Sequence, residues 1–266
     1  MFLYPSTTLG LPAGSGQDVS RDMPCVVATT SRAAGSKAEI QINLCSPPAQ
    51  VIGALQLTEK GKSTTVWLFD SPTLTLNQAG LRLRLRVQGK SSELTLKAAG
   101  QDCVTVDSAL LDPDGKCEAD LHGDALDDVV SLNRRLDAQG RATLLAPDAR
   151  RGAPLVEALK STLDPRQRTM LSKQRGVTGG VATLPVDIAR FGPSTVRAYR
   201  GANRSYEVEV WTLPGGQKFV ELSDKVQRDV ALVRRAELMR QVTAAAIAVC
   251  PDQDSQARKK LAILAR

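Results

Sequence analysis

From residue 81 to 86 leucine and arginine alternate without a break, so an extended chain there puts Leu81, Leu83 and Leu85 on one face and Arg82, Arg84 and Arg86 on the other. After a short connection at 88–92, Glu93-Leu94-Thr95-Leu96-Lys97 alternates in the same way, and the two runs predict a β-hairpin with one apolar and one strongly polar face. The same inversion recurs elsewhere. Residues 38–44 set Glu39, Gln41 and Asn43 against Ile40, Ile42 and Leu44; residues 205–212 set Glu207 and Glu209 against Val208 and Val210; residues 218–226 set Glu221, Ser223 and Lys225 against Val220 and Leu222. Residues 64–69 and 116–121 are further predicted strands, the latter with Glu118 and Asp120 on one face, and weaker strand signals lie at 181–188 and 195–199. Residues 104–110 read as strand or loop.

Helical spacing is predicted over 49–59, 124–136, 154–163, 224–249 and 255–265, with 74–79 a brief helical or irregular link. The 124–136 segment has acids at its start and arginines near its end, as a helix dipole favours. Residues 168–175 read as a strand with Lys173 and Arg175 on one face. Residues 1–36, rich in small and polar side chains without a period, read as a poorly ordered extension ahead of one domain over 37–266.

Charges of both signs on one face of so many strands change the picture from an open sheet to a barrel. A closed barrel can point its charges into a polar lumen and cover an apolar exterior with helices. Three arginines in register then make a concentrated positive field, and their planar donor forks suit phosphate and carboxylate oxygens. The formal charge of +7 agrees with an anionic partner. Aromatics make up only 3% of the chain, which leaves few platforms for stacking bases and argues against nucleic acid. No run is long and apolar enough to cross a membrane as a helix, and the opening residues lack the pattern of a secretory signal.

Other motifs have plainer readings. Lys60-Gly61-Lys62-Ser63-Thr64 looks like the end of a phosphate-binding loop, but the glycine such a loop needs at position 56 is Gln, and a turn is the better reading. Asp70 reads as the cap of the Ser71-Pro72 turn. His122 is the one histidine, which leaves little basis for a Ser-His or Cys-His mechanism. The five cysteines contain no CxxC pair, so a structural zinc site is not indicated. Free buried thiols in a cytoplasmic setting are the expectation, with Cys103 and Cys117 able to close a short loop in an oxidising one.

The run LFDSPTLTLNQAGLRLRLR followed by ELTLK resembles the CYTH, or triphosphate tunnel metalloenzyme, family. The resemblance is strong over 66–97 and looser over the rest of 37–249. It implies an α+β domain: an antiparallel eight-stranded β-barrel whose positively charged tunnel binds a triphosphate, polyphosphate or other small polyanion, with helices packed outside and a long C-terminal helix. In its register Arg84, Arg86 and Lys97 fall on phosphate-binding positions, and Arg82 is an addition. Lys173 and Arg175 match a basic strand, and Glu118 and Asp120 a paired-acid strand. Glu207 and Glu209 resemble the closing acids, although Glu221 is an alternative. The resemblance implies that Glu39 and these acids hold Mg²⁺ or Mn²⁺. The family's first strand carries Glu-x-Glu-x-Lys, whereas this chain has Glu39, Gln41 and Asn43. A metal-dependent phosphohydrolase and a binding module that has lost hydrolysis are therefore both open, with a barrel that serves only as scaffold as a third reading.

Overall fold

The computed structural model describes residues 37–173, 184–202, 205–253 and 256–265. In chain order the elements are β1 (Lys37–Leu44), α1 (Pro48–Ala54), β2 (Thr58–Glu59), β3 (Thr64–Asp70), α2 (Thr75–Gln78), β4 (Leu81–Gln88), β5 (Ser91–Ala99), α3 (Ser108–Leu111), β6 (Lys116–His122) and β7 (Ala125–Leu136). There follow α4 (Ala138–Leu145), α5 (Gly152–Thr162), α6 (Pro165–Lys173), β8 (Ala189–Arg200), β9 (Glu207–Thr212), β10 (Lys218–Gln227), α7 (Ala231–Ala244) and α8 (Gln256–Leu264).

Nine strands close a ring in the order β8-β3-β4-β5-β7-β6-β1-β10-β9, with β9 returning to β8 and the two-residue β2 flanking β8. The ring therefore has one strand more than expected, and it is mixed rather than wholly antiparallel. The two departures are linked: an odd number of strands cannot all run opposite to both neighbours. The parallel junction is β1 with β6, where Ala38 stands beside Ala119 and Glu39 beside Asp120.

The inverted alternation positions everything else. Leu81, Leu83 and Leu85 point outward and are buried with Leu94 and Leu96 of β5 under Leu144 of α4, Leu155 and Leu159 of α5, and Met170 and Leu171 of α6. On the opposite side Ile40, Ile42, Val208 and Leu222 pack beneath Val51 of α1 and Leu238 and Val242 of α7. Burial of an aliphatic side chain stabilises by roughly 1.5–3 kcal/mol, so two helix-covered shells hold a barrel whose interior is free to be polar.

Several expected elements differ. Residues 124–136 are not a helix but the strand β7, paired with β5 on one side and β6 on the other. Its period of two was disguised, because Asp128 and Arg134 share the face of Val130, Leu132 and Leu136. Each has a partner there: Asp128 accepts from the Cys103 N–H (3.0 Å), and Arg134 donates to the Thr162 carbonyl. Conversely, the described part of 168–175 is helix. Asp164 Oδ1 accepts from the Gln167 N–H (2.8 Å) while Gln167 Oε1 accepts from the Asp164 N–H (3.1 Å), a reciprocal cap that starts α6. Residues 224–249 are helical only within α7 and a single 3₁₀ turn before it, because β10 runs on to Gln227, opposite Lys37. The helix predicted over 49–59 stops at Ala54, and 104–110 is loop leading into α3. Of 181–188, the described residues 184–188 are not strand. Residues 1–36 lie outside the described residues.

The expectation of free thiols is overturned for the four cysteines among the described residues: Cys45 is bridged to Cys250, and Cys103 to Cys117. The first bridge joins the residue after β1 to the segment after α7. Asn43 strengthens that junction, since its carbonyl accepts from the Cys250 N–H (2.9 Å) and Gln253 Nε2 (3.1 Å), and its Nδ2 donates to the Asp252 carbonyl (3.2 Å). The residue that replaces a lysine in the resembling family is thus used to seat the C-terminal segment.

Candidate functional site

The register of the hairpin fixes what faces inward. Residues directly opposite in an antiparallel pair share a face, and Arg82 stands opposite Lys97, Arg84 opposite Thr95 and Arg86 opposite Glu93. These side chains line a cavity of about 610 Å³ inside the barrel, together with Glu39 and Gln41 of β1, Glu118 of β6, Glu207 and Glu209 of β9, and Glu221 and Lys225 of β10. Of the sequence-predicted residues, Asp120 lies beneath this lining, 2% exposed. Lys173 is exposed at the end of α6 and takes no part, and Arg175 lies outside the described residues. The strand expected to carry that pair is a helix on the barrel's exterior, which removes Lys173 from the lumen.

The lining is not a uniform positive field. Eight basic and seven acidic side chains contribute to it. Arg82 Nη2 lies 3.2 Å from Asp120 Oδ2, and Lys97 Nζ lies 3.5 Å from the same oxygen and 3.6 Å from Glu39 Oε2. Arg82, the extra arginine of the strand, is accounted for as a partner of the buried Asp120. Arg86 Nη2 is 3.6 Å from Glu209 Oε1, whose other oxygen accepts from Trp211 Nε1 at 2.9 Å. Glu207 meets Lys60 at 2.8 Å and Arg200 at 3.7 Å; Glu118 meets Lys225 at 2.7 Å.

Arg84 is different. It has no ion pair or hydrogen bond among the described residues, and its Nε is buried without a partner. Burial, reinforced by the neighbouring Arg86 and Arg82 and only partly offset by Glu209 and Glu39, pushes its pKa down to about 9. A buried donor left unsatisfied costs roughly 1–3 kcal/mol, and more when the group is charged. The described residues leave the desolvation of this cation only partly compensated.

Glu39 shows the opposite balance. Burial alone would raise its pKa, but Lys97, Lys225, Arg84 and Arg86 together outweigh it and hold the carboxyl at about 2, against an ordinary 4.5. A carboxyl depressed on folding adds stability above its unfolded pKa that is lost as pH falls through the folded one. Wild-type stability is therefore expected to drop by on the order of 2–3 kcal/mol more than that of Glu39→Gln between pH 5 and pH 2, measured by urea unfolding at stepped pH. Parallel acid branches for the two proteins would show that the four cations do not act on Glu39.

One cation was not singled out from the sequence. Lys260 of α8 is 3% exposed, lies 4.0 Å from Glu221 Oε2 and sits 3.7 Å from the Trp211 ring centroid. Burial pushes Lys260 down to about 8 and Glu221 upward, each toward its neutral form, against their mutual attraction. Beside it Leu261 joins Val66, Leu68, Val196 and Trp211 in an apolar cluster. Val66 and Leu68 stand opposite Arg86 and Arg84, so this cluster lies on the lumen face of β3, and α8 fills the lumen on that side. The only sequence signal for Lys260 was the basic character of the last helix.

Asp70 takes the capping role read from the sequence. Asp70 accepts from the N–H groups of Ser71 (2.8 Å), Leu76 (2.8 Å) and Asn77 (2.9 Å), which ties the turn to α2. His122 lies at the end of β6 with Nε2 3.9 Å from Asp120 Oδ2.

The donor set was also tested against the divalent metal implied by the family resemblance. Among the described residues no three His, Cys, Asp or Glu side chains are grouped to hold a metal ion. Each predicted acid ligand instead has a Lys or Arg within 4.0 Å. Gln41 contributes only a neutral amide. The residues present do not fit the ion.

No protein-family profile matches the chain, and no curated protein matches it. Solved structures do. An adenylyl cyclase candidate from Hippeastrum, described as having a dominant triphosphatase activity, is 15% identical with a TM-score of 0.51, over 82% of this chain and 91% of that one. An adenylate cyclase candidate from Bacillus halodurans is 13% identical with a TM-score of 0.49, over 84% and 98%. Another from Vibrio parahaemolyticus is 11% identical with a TM-score of 0.41, over 85% and 99%. At 15% identity the likeness to the Hippeastrum protein extends to the fold alone.

Proposed function

We propose that the lumen binds an inorganic oligophosphate or a comparable small polyanion, with Arg84 at the centre of the site and Arg86 and Lys97 flanking it. The observation that carries this reading is Arg84, whose Nε is buried without a hydrogen-bond partner and whose half-buried side chain makes no ion pair among the described residues. A phosphate oxygen supplies the charge and the acceptor that it lacks, and charge-assisted hydrogen bonds of this kind are roughly twice as strong as neutral ones. Arg86 and Lys97 sit about 3.6 Å from their carboxylates, long for a charge-assisted hydrogen bond, so both can turn toward a ligand at modest cost. The likeness of the 66–97 run to the tunnel family supports phosphate as the recognised group.

Removing a positioned charge from a site of electrostatic catalysis costs about 10²- to 10³-fold in rate, and here Gln41 and Asn43 stand where an acid and a lysine are found in the resembling family. Binding without turnover is the reading adopted. Calorimetric titration with inorganic triphosphate, run beside a phosphate-release assay with and without Mg²⁺, tests it. Saturable binding at micromolar concentration with no release above the uncatalysed rate is the expected result. Release that follows protein concentration would replace the binding module with an enzyme, and no heat of binding would remove the ligand assignment.

A further inference from the structure

The misfit between the acids of the lumen and a divalent cation has a specific structural source. Glu39 of β1 stands in register with Asp120 of β6 on one side and Lys225 of β10 on the other. Lys225 Nζ reaches Glu118 Oε2 at 2.7 Å, and Lys97 Nζ lies between Glu39 and Asp120 at 3.6 and 3.5 Å. Three acids that a metal would need in common are thus divided between two ammonium groups. We infer that Lys225 is a built-in cation of the lumen, occupying with its ammonium the charge position between Glu39 and Glu118, and that the site engages its ligand without divalent metal.

Three observations support this. Lys225 belongs to the barrel itself, on a strand paired along its length with β1, so its charge is delivered by the same register that places Glu39. Burial would favour loss of its proton, yet Glu39, Glu118 and Asp120 outweigh that and raise its pKa, so the charge is held. An ion entering between the same acids would face Lys225 and Lys97 at close range, and like charges a few ångströms apart repel. Lys225 is half-exposed, and while its ammonium is held at Glu118 it competes with a metal ion for the same acids.

The inference rests on the lumen being the ligand site, but its test needs no ligand other than the metal. Mn²⁺ alone is titrated into the full chain and followed by electron paramagnetic resonance of the free ion, with wild type beside Lys225→Gln and Lys225→Ala. Wild type is expected to show no saturable site below about 1 mM, and the variants to bind at least about tenfold more tightly, since the repelling charge is gone while the acids remain. A submillimolar Mn²⁺ site in wild type overturns the inference, and that titration decides it even where a variant fails to fold. Folded variants that bind Mn²⁺ no better than wild type overturn the role of Lys225. Failure of triphosphate to bind would remove the ligand assignment alone.

Discussion

Replacing Arg84 by methionine is expected to make the ligand-free protein more stable and to remove most of its affinity for triphosphate. Methionine has a similar length and no charge, so it fills the same space among the β4 and β5 side chains without a guanidinium to desolvate. Replacing buried ionic groups by apolar ones of similar size is often neutral or stabilising by about 1–4 kcal/mol, and Arg84 lacks even the partner that would offset its burial. A gain of about 1–3 kcal/mol raises the melting temperature by roughly 3–10 °C in a protein of this size. Binding should move the other way. Loss of a buried, hydrogen-bonded charge contact costs about 2–4 kcal/mol, or roughly 30- to 1,000-fold in Kd. Melting curves and calorimetric titration on the same preparations check both arms. A variant that melts lower than wild type, or binds triphosphate equally well, would show that Arg84 is an ordinary structural residue.

Loss of the Cys45–Cys250 bridge is expected to cost about as much as truncating a large core side chain. The bridge closes a loop with a sequence separation of 205, against 14 for Cys103–Cys117. The chain-entropy view assigns about 5 kcal/mol to the longer loop and about 3 kcal/mol to the shorter, and measured values fall more often at about 2–4 kcal/mol. The double variant Cys45→Ser/Cys250→Ser should therefore unfold at lower urea concentration, with a loss of about 2–5 kcal/mol and a melting temperature lower by roughly 5–15 °C. Cys103→Ser/Cys117→Ser should lose less. Equal stability of oxidised wild type and the first double variant would show that the hydrogen bonds around Asn43 hold the C-terminal segment unaided.

The lumen was legible in the sequence wherever its signal was local. A period of two over Leu81 to Arg86, with charge on the unexpected face, is enough to identify the strand and its inversion, because the alternation of side chains depends on nothing outside the segment. β7 was not legible, because Asp128 and Arg134 sit on its apolar face and their partners come from a loop, α5 and the turn after β10. The start of α6 was written in the sequence as Asp164-Pro165-Arg166-Gln167, and the reciprocal cap it encodes outweighs the strand-like alternation that follows. For Lys260 the only local signal was the basic character of its helix. Its position follows from where α8 docks, and that follows from Leu261 and from the Asn43 and Cys45 junction, which no window of a few residues contains.

That junction makes the last helix something other than a tail. Cys250 is fixed covalently beside β1, and only a few residues separate it from α8, so an undocked α8 stays near its seat at an effective concentration on the order of millimolar. Leu261 among four lumen-facing apolar side chains, Leu264 against the same cluster, and Lys260 between Glu221 and the Trp211 ring then keep the helix home. In binding terms the chain is its own first ligand on that side of the barrel, where Lys260 and Leu261 already take up lumen space.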